Sequence, residues 1–519
     1  MMTSLRFRVA ALLLAAPVMA AAQPLRPRID EWRRTHEREI LDEAFALLAL
    51  PNVASDTANI ARNVAFLTEA FAKRGVTMTT LRSPTGGSPA LFGELRAKGA
   101  TRTVVFYAHY DGQPVAGGGW DGAPFTPELR HYANSVATDE VALPARGTTV
   151  DPEARIRARS ASDDKGPIIA MLAALDAMTA AKKTPTVNVK FFLEGEEEAG
   201  SRHLGELLNA HRDKLAADAW LFFDGPVHVS GRPQIVLGVR GSMGMEVTFY
   251  GANRALHSGH YGNWAPNPAV AVAHFIASIR DRDGAITIPG FYDDVPAITP
   301  ADRELARALS QTDDSLRASL GLAHTEASNA ALGERIMRPA LNIRGIRAGN
   351  VGSAASNAVP TSATVSIDIR LVPDQRPERI RQLVEAHLIA LGYTVTRDPA
   401  VAARSVDRSR IVLLSAGEGG YTSVRVPSTL PAVGAVRRLM ARSYGQEPYV
   451  LPILGGSLPL FHFVEQLGAT VITVPTVNAD NSQHAPNENL RLQNLWDGIA
   501  VMAELMTGLG KEWPAALIK

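Results

Sequence analysis

The 519-residue sequence predicts an α/β protein, a mostly parallel sheet interrupted by a separate α+β block. Three observations predict it. Apolar strand-like runs at 103–108, 187–193 and 219–223 follow one another with helical segments between them, the signature of a parallel sheet. Each run hands over polar groups at its carboxyl end: His109, then Glu194, Glu196, Glu197 and Glu198, then Asp224. Open α/β sheets place their ligands at that end. Between about 241 and 414 the pattern changes to strict alternation, with Val365, Ile367, Ile369 and Leu371 on one face of a half-solvated strand.

The first 22 residues read as a secretory signal. Arg6 and Arg8 precede an apolar run at 9–16, and Ala20, Ala21 and Ala22 offer a small-residue cleavage site. The run is too short to span a bilayer comfortably. The mature chain is therefore expected to be exported, periplasmic or secreted, and free of the membrane after cleavage.

Next come a charged helix over 30–48 and a second helix with Ile60, Val64, Leu67 and Phe71 at helical spacing, Gly75 standing just past its end. A strand pair at 76–81 and 90–95 precedes the 103–108 run, whose continuous apolar character suits a strand buried on both faces. Residues 112–157, with Trp120, Pro124 and Phe125, read as a long loop without clear periodicity. Ser162-Asp163-Asp164-Lys165-Gly166-Pro167 opens an apolar helix through Met178, with Pro167 suited to the first helical position.

The α+β block contains an alternating strand at 242–250, helices at 268–279 and 377–391, a charge-rich helical excursion at 299–335, and strands at 361–371 and 393–397. From about 415 the chain returns to the first domain with a helix at 431–443 and a Gly-Gly-Ser loop at 455–457. A buried strand at 469–474, a polar loop carrying His484 and Glu488, and a last helix at 492–509 follow. The expected organisation is a leader at 1–22, one domain in two parts at 23–240 and 415–519, and an inserted domain at 241–414.

Composition bounds the chemistry. Hydrophobic content of 46% and charged content of 20% fit a soluble globular protein. A formal net charge of +1 predicts no general attraction to nucleic acid or anionic membrane. The absence of cysteine excludes disulfides, thiolate nucleophiles and Cys-ligated metals, so any metal must be held by His, Asp and Glu.

Singly, each candidate residue has an ordinary structural explanation. His109 with Asp111 is either an oriented metal ligand or a buried histidine satisfied by its neighbour. Asp163 suits a helix cap and Asp224 a turn, while His484 in a polar loop suits plain exposure. The acids after residue 193 suit a solvated first helical turn. Together they are harder to dismiss, because two histidines and several carboxylates converge on one sheet edge. That nitrogen and oxygen set suits zinc, and two ions roughly 3.5–4 Å apart make a hydrolytic site.

The motifs Ala-His-Tyr-Asp-Gly-Gln-Pro (108–114), Ser-Asp-Asp-Lys-Gly-Pro (162–167), Glu-Gly-Glu-Glu-Glu-Ala-Gly-Ser (194–201), Leu-His-Ser-Gly-His-Tyr-Gly (256–262), Ile-Arg-Leu-Val-Pro-Asp-Gln (369–375) and Gly-Gly-Ser-Leu-Pro (455–459), with His484 and Asn487-Glu488, resemble metallopeptidase family twenty. These are the carnosinase, glutamate carboxypeptidase and aminoacylase-type dizinc hydrolases. The resemblance runs from about Glu31 to the C-terminus. It implies a zinc-exopeptidase catalytic domain with an inserted lid and dimerisation domain, and hence a homodimer.

By that resemblance His109 and Asp224 bind one ion, Glu198 and His484 the other, and Asp163 bridges them. Glu197 is the general base, and Asp111 orients His109. A cis peptide bond is expected between Asp163 and Asp164. His257 stabilises the oxyanion, while Asn357, Arg370, Gly456 and Ser457 contact substrate. The ions are zinc first, with manganese or cobalt also fitting. The substrate is a dipeptide or short peptide. An N-acyl amino acid is the alternative, and a non-catalytic binding relative is a third reading disfavoured by the complete ligand set. Where the family usually has Tyr-Gly-Arg-Gly, this chain has Arg157-Ala158-Arg159-Ser160, which is expected to alter the loop near Asp163.

Overall fold

The computed structural model describes residues 25–513 apart from 116–117, 134, 311–312, 418–419 and 457. The expected leader at 1–22 and Ser457 lie outside the described residues.

An eight-stranded mixed sheet organises the larger unit. Its strands run in the order Met78–Ser83, Gly86–Leu95, Asn188–Glu194, Thr103–His109, Ala219–Phe222, Val471–Thr473, Gln234–Val236, Tyr449–Leu451. The four strands from Asn188–Glu194 to Val471–Thr473 are mutually parallel, and the Met78–Ser83 and Gly86–Leu95 hairpin joins antiparallel at one side. Alternation along the Thr103–His109 strand divides two cores. Val104, Phe106 and Ala108 face a layer of long helices that includes Leu25–Leu48, Lys165–Ala180 and Leu492–Glu512. Val105 and Tyr107 face the opposite layer, with Leu207, Leu208 and Phe463 from helices Leu204–Ala210 and Leu460–Leu467. Burial on both faces is why these strands read as continuous apolar runs.

A second, five-stranded sheet runs in the order Ala340–Arg347, Ser362–Leu371, Gly241–Tyr250, Ile411–Ala416, Thr394–Thr396. Val365, Ile367, Ile369 and Leu371 are fully buried, as their alternation predicts, against Val272, Phe275, Ile380 and Val384 of helices Pro268–Ile279 and Pro377–Ala390. Helices cover this one face of the sheet, whereas the large sheet is covered on both.

Several elements differ from expectation, among them the short strands Gln234–Val236 and Tyr449–Leu451 and the strand Ile411–Ala416, which pairs in the smaller sheet across the expected boundary at 414. Residues 112–157 are not a structureless loop, since strands Glu128–Ala133, Val136–Glu140 and Arg155–Arg157 form an antiparallel sheet with Asn489–Arg491. The partner strand lies more than 300 positions away, so no local period announces it. The apolar helix begins at Lys165, so Pro167 is its third residue. The strand Ala340–Arg347 is an edge strand with mostly exposed residues and no alternating apolar set.

The helical excursion is divided into short helices, of which Pro300–Leu309 and Leu332–Ile336 flank the others. It packs back on the larger unit through Ala306, Met337 and Ile453. Arg240, one residue before the smaller sheet begins, donates to the carbonyls of Arg335, Ile336 and Arg338 at 2.7–2.8 Å. The carbonyls that end the excursion are thus satisfied by an arginine at the junction of the two sheets.

Candidate metal centre

Strand register places the site. His109 pairs with Glu194, and Tyr107 pairs with Phe222, so Asp224 falls level with His109 two residues beyond its strand. The third contribution comes from the loop before helix Lys165–Ala180, where the peptide bond between Asp163 and Asp164 is cis. The fourth is the loop carrying His484, which lies between the buried strand Val471–Thr473 and the short strand Asn489–Arg491.

Asp163 is the hub. Its Oδ1 lies 2.9 Å from His109 Nε2 and its Oδ2 lies 3.0 Å from His484 Nε2. His109 Nε2 is 4.0 Å from Asp224 Oδ2, and His484 Nε2 is 3.3 Å from Glu198 Oε2. Two three-residue sets result, His109–Asp163–Asp224 and Asp163–Glu198–His484, each with ligand atoms within 4.8 Å of one another. The first set is buried, whereas the second opens outward because the His484 side chain is 52% exposed.

Asp111 connects the histidine to the glutamates. Its Oδ1 is 3.4 Å from His109 Nδ1, and its two oxygens accept from Glu197 N at 3.1 Å and Glu198 N at 3.0 Å. Residues 197–199 form a short 3-10 turn rather than an acidic α-helical start. The turn is braced from below by buried Glu194, which accepts from Tyr107 Oη at 2.7 Å and Ser201 Oγ at 2.6 Å. Glu198 Oε2 also accepts from Gln113 Nε2 at 2.7 Å, a role that the 108–114 motif does not assign to Gln113. Glu196 turns away and pairs with His203 at 2.8 Å, so it stands apart from the ligand sets.

Electrostatics test whether cations fit here. Burial, then the neighbouring Asp163, pushes Glu198 up to about 7 and Asp224 up to about 6. Burial likewise holds Glu197 well above the usual carboxylate range. Burial opposes the charge of Asp163 too, but hydrogen bonds from His109 and His484 outweigh it and lower its pKa. Several desolvated acids crowded together are short of positive charge. Divalent cations supply it, and the donor set of imidazole nitrogens and carboxylate oxygens fits zinc, manganese or cobalt.

The remaining candidates lie on the smaller sheet's side. His257 is exposed on a two-residue ribbon pairing Leu256–His257 with Ala358–Val359, which places Asn357 beside it through the Ser258 N to Asn357 O bond of 2.8 Å. Arg370 lies in strand Ser362–Leu371, with Nε 3.2 Å from Asp368 Oδ2. It is close enough to Arg240 to add to the burial that lowers the Arg240 pKa to about 10. Gly456 is exposed in the loop after Ile453, next to Gly455, where an added Cβ would stand 3.7 Å from Ile336 of the excursion.

Ser160 stands where the family usually has a glycine. Ser160 adopts φ 62°, the left-handed conformation that glycine favours. Asn52 Nδ2 donates to its hydroxyl at 3.0 Å, and Gly112 leaves the space, since a Cβ there would stand 2.2 Å from Ser160 Oγ.

This fold and donor set define a metal-dependent hydrolase of the two-domain exopeptidase kind. Residues 105–508 match the model of Peptidase family M20/M25/M40, and the chain belongs to that family. It is 26% identical over 432 residues to the Cys-Gly metallodipeptidase dug1 of Schizosaccharomyces pombe, covering 82% of this chain and 84% of that protein. It is also 26% identical to the Beta-Ala-His dipeptidase of Homo sapiens, covering 80% and 76%. Among solved structures, an M20 family metallo-carboxypeptidase from Sulfolobus solfataricus is similar with a TM-score of 0.69 and 28% identity, over 91% of this chain and 99% of that one. Human carnosine dipeptidase 1 shares the fold with a TM-score of 0.67 and 22% identity, over 94% and 100%.

Proposed function

We propose that this chain is an exported two-metal exopeptidase that hydrolyses the amide bond of dipeptides or short peptides. One observation carries the reading: the single carboxylate of Asp163 belongs to both ligand sets and faces a different histidine with each oxygen. Similarity to a Cys-Gly metallodipeptidase and a Beta-Ala-His dipeptidase over at least 80% of the chain supports dipeptides as the substrate class.

His109 and Asp224 would hold one ion and Glu198 and His484 the other, with Asp163 common to both sets. When bound, two such ions supply Lewis acidity toward a carbonyl and make water a nucleophile at neutral pH. Glu197 belongs to neither set, so its carboxylate is free to take the proton from the attacking water and pass it to the leaving amine. In the metal-free chain burial holds its pKa above the usual carboxylate range, and nearby cations would favour the ionised form that accepts a proton. Asp111 orients the His109 ring through Nδ1.

The smaller domain acts as a lid. His257 Nδ1 accepts from Gly259 N at 3.1 Å, so the neutral ring carries its proton on Nε2, ready to donate to the carbonyl oxygen as charge develops. Arg370 takes the substrate carboxylate, and Asn357 and the loop at Gly456 and Ser457 hold the same end. The smaller sheet pairs two copies into a homodimer. Its exposed edge strand Ala340–Arg347, where Ile346 is 60% exposed, supports that role.

The test is turnover of a dipeptide library and an N-acyl-amino-acid library by zinc- or manganese-loaded protein, read by mass spectrometry. Dipeptide cleavage is expected. Turnover confined to acyl amino acids would replace the dipeptidase reading with a deacylase. No turnover by protein holding both ions would point to a binding relative.

A further inference from the structure

Glu488 ties together the two loops that carry Asp163 and His484. Its side chain is fully buried and accepts five hydrogen bonds, all from residues 159–163. Oε1 takes Ser162 N at 3.0 Å, Ser162 Oγ at 2.9 Å and Asp163 N at 2.9 Å. Oε2 takes Ser160 N at 2.8 Å and Arg159 Nη1 at 2.8 Å. The Glu488 carbonyl accepts a further bond from Ala158 N at 3.1 Å.

The loop on the Glu488 side is equally well fixed. Asn489 N donates to Asn481 O at 2.8 Å, and Ser482, His484 and Asn487 all take positive φ, at 56°, 61° and 62°. That backbone path turns the His484 ring toward Asp163 while Glu488, four residues on, plugs the loop beneath it. Arg159 is held in turn, with its guanidinium 5.0 Å from the Trp120 ring.

A buried carboxylate accepting several N–H groups is often only a brace for a tight turn. The placement of these bonds separates the two roles. Three of the five donors belong to Ser162 and Asp163, the backbone that aims the shared carboxylate. The acceptor belongs to the loop that aims His484. His109 and Asp224, by contrast, are set by adjacent strands of the large sheet and make no use of Glu488.

We propose that Glu488 is a positioning residue for the second ion, because it fixes Asp163 Oδ2 against His484 Nε2 at 3.0 Å. This rests on the two-ion reading above. It also accounts for Ser160 at a position where glycine is usual: Glu488 Oε2 and Asn52 hold the serine in the left-handed conformation without a glycine.

Glu488→Gln is the direct test. The carboxamide keeps one acceptor oxygen but turns an NH2 group toward donors that the carboxylate had satisfied. The two ions are titrated against a chromophoric chelator, with metal content measured by mass spectrometry and folding by circular dichroism. The variant is expected to keep the first ion near its parent affinity and to lose about 10–100-fold for the second. Excess zinc should restore kcat while KM for a dipeptide stays close to the parent value.

A variant that folds like the parent and holds both ions with parent affinity overturns the proposal. So does an equal loss of both ions. Should Glu488→Gln fold poorly, Ser162→Ala decides, because it removes a single hydroxyl donor to Oε1. A loss confined to the second ion supports the role, and no loss or an equal loss overturns it. A parent protein that takes up only one ion sinks the two-ion reading, and this inference with it. Two ions held with equal affinity by parent and variant sink the positioning role alone.

Discussion

Asp111 Oδ1 lies 3.4 Å from His109 Nδ1 while the same carboxylate accepts from the backbone N–H groups of Glu197 and Glu198. One buried acid therefore contacts both the His109 ring and the turn that carries Glu197 and Glu198. Coupling of this kind makes Asp111 more than a partner for one imidazole.

Asp111→Asn should lower metal affinity about 10–100-fold, the usual cost of losing a carboxylate behind a ligating histidine. The amide nitrogen must also face either His109 or a turn N–H, so one contact becomes repulsive. Competition titration with a chelator measures the effect. Unchanged affinity in a folded Asp111→Asn variant would show that the turn and the ring are set by other groups.

The pH dependence has a definite sign. Burial pushes Glu194 and Glu198 up to about 7 and Asp224 up to about 6, above the usual carboxylate value of roughly 4. For His109 burial opposes the charge, but hydrogen bonds with Asp111 and Asp163 raise its pKa overall. Between about pH 4 and 7 the metal-free folded chain thus binds more protons than the unfolded chain, and its stability falls as pH rises. Metal uptake expels those protons, so affinity rises with pH. Urea unfolding in a chelator should show a less stable protein at neutral pH than at pH 5, and saturating zinc should stabilise most at neutral pH. A metal-free protein that gains stability across that window contradicts this electrostatic picture.

Ser160 offers a stability test away from the ligands themselves. Glycine suits φ 62° without strain, so Ser160→Gly should fold and bind metal much as the parent does, the lost Asn52 contact offsetting the relief. Valine cannot adopt that conformation cheaply, and Ser160→Val should cost about 1–3 kcal/mol in denaturant unfolding. Equal stability of the two variants would mean that the loop relaxes freely.

Glu197→Gln should bind both ions and substrate but lose about 10²–10⁴-fold in kcat, the usual contribution of a positioned proton shuttle. Steady-state kinetics alongside metal analysis measures this. Full activity in that variant would remove Glu197 from the chemistry.

Much of the site was legible because each element signals locally. The runs ending at His109, Glu194 and Asp224 are continuously apolar because both faces of the central strands are covered, and their polar exits stand out against that background. Alternation at Val365, Ile367, Ile369 and Leu371 likewise follows from a sheet covered on one face. What escaped was whatever needs a distant partner. Glu128–Ala133 and Arg155–Arg157 become strands only when Asn489–Arg491 pairs with them. Glu488 looks like one more acid in a polar loop until residues 159–163 close around it. Ser160 takes a glycine-like conformation among contacts with Asn52 and Glu488 that no local signal announces.

The two-ion reading turns on one carboxylate, Asp163, which faces a different histidine with each oxygen. Metal content per chain, measured after zinc loading and gel filtration on the parent, His484→Ala and Asp163→Asn, tests it most directly. Two ions are expected in the parent, one retained in His484→Ala, and weakened binding of both in Asp163→Asn. A single ion in the parent, or two ions kept by His484→Ala, would contradict it.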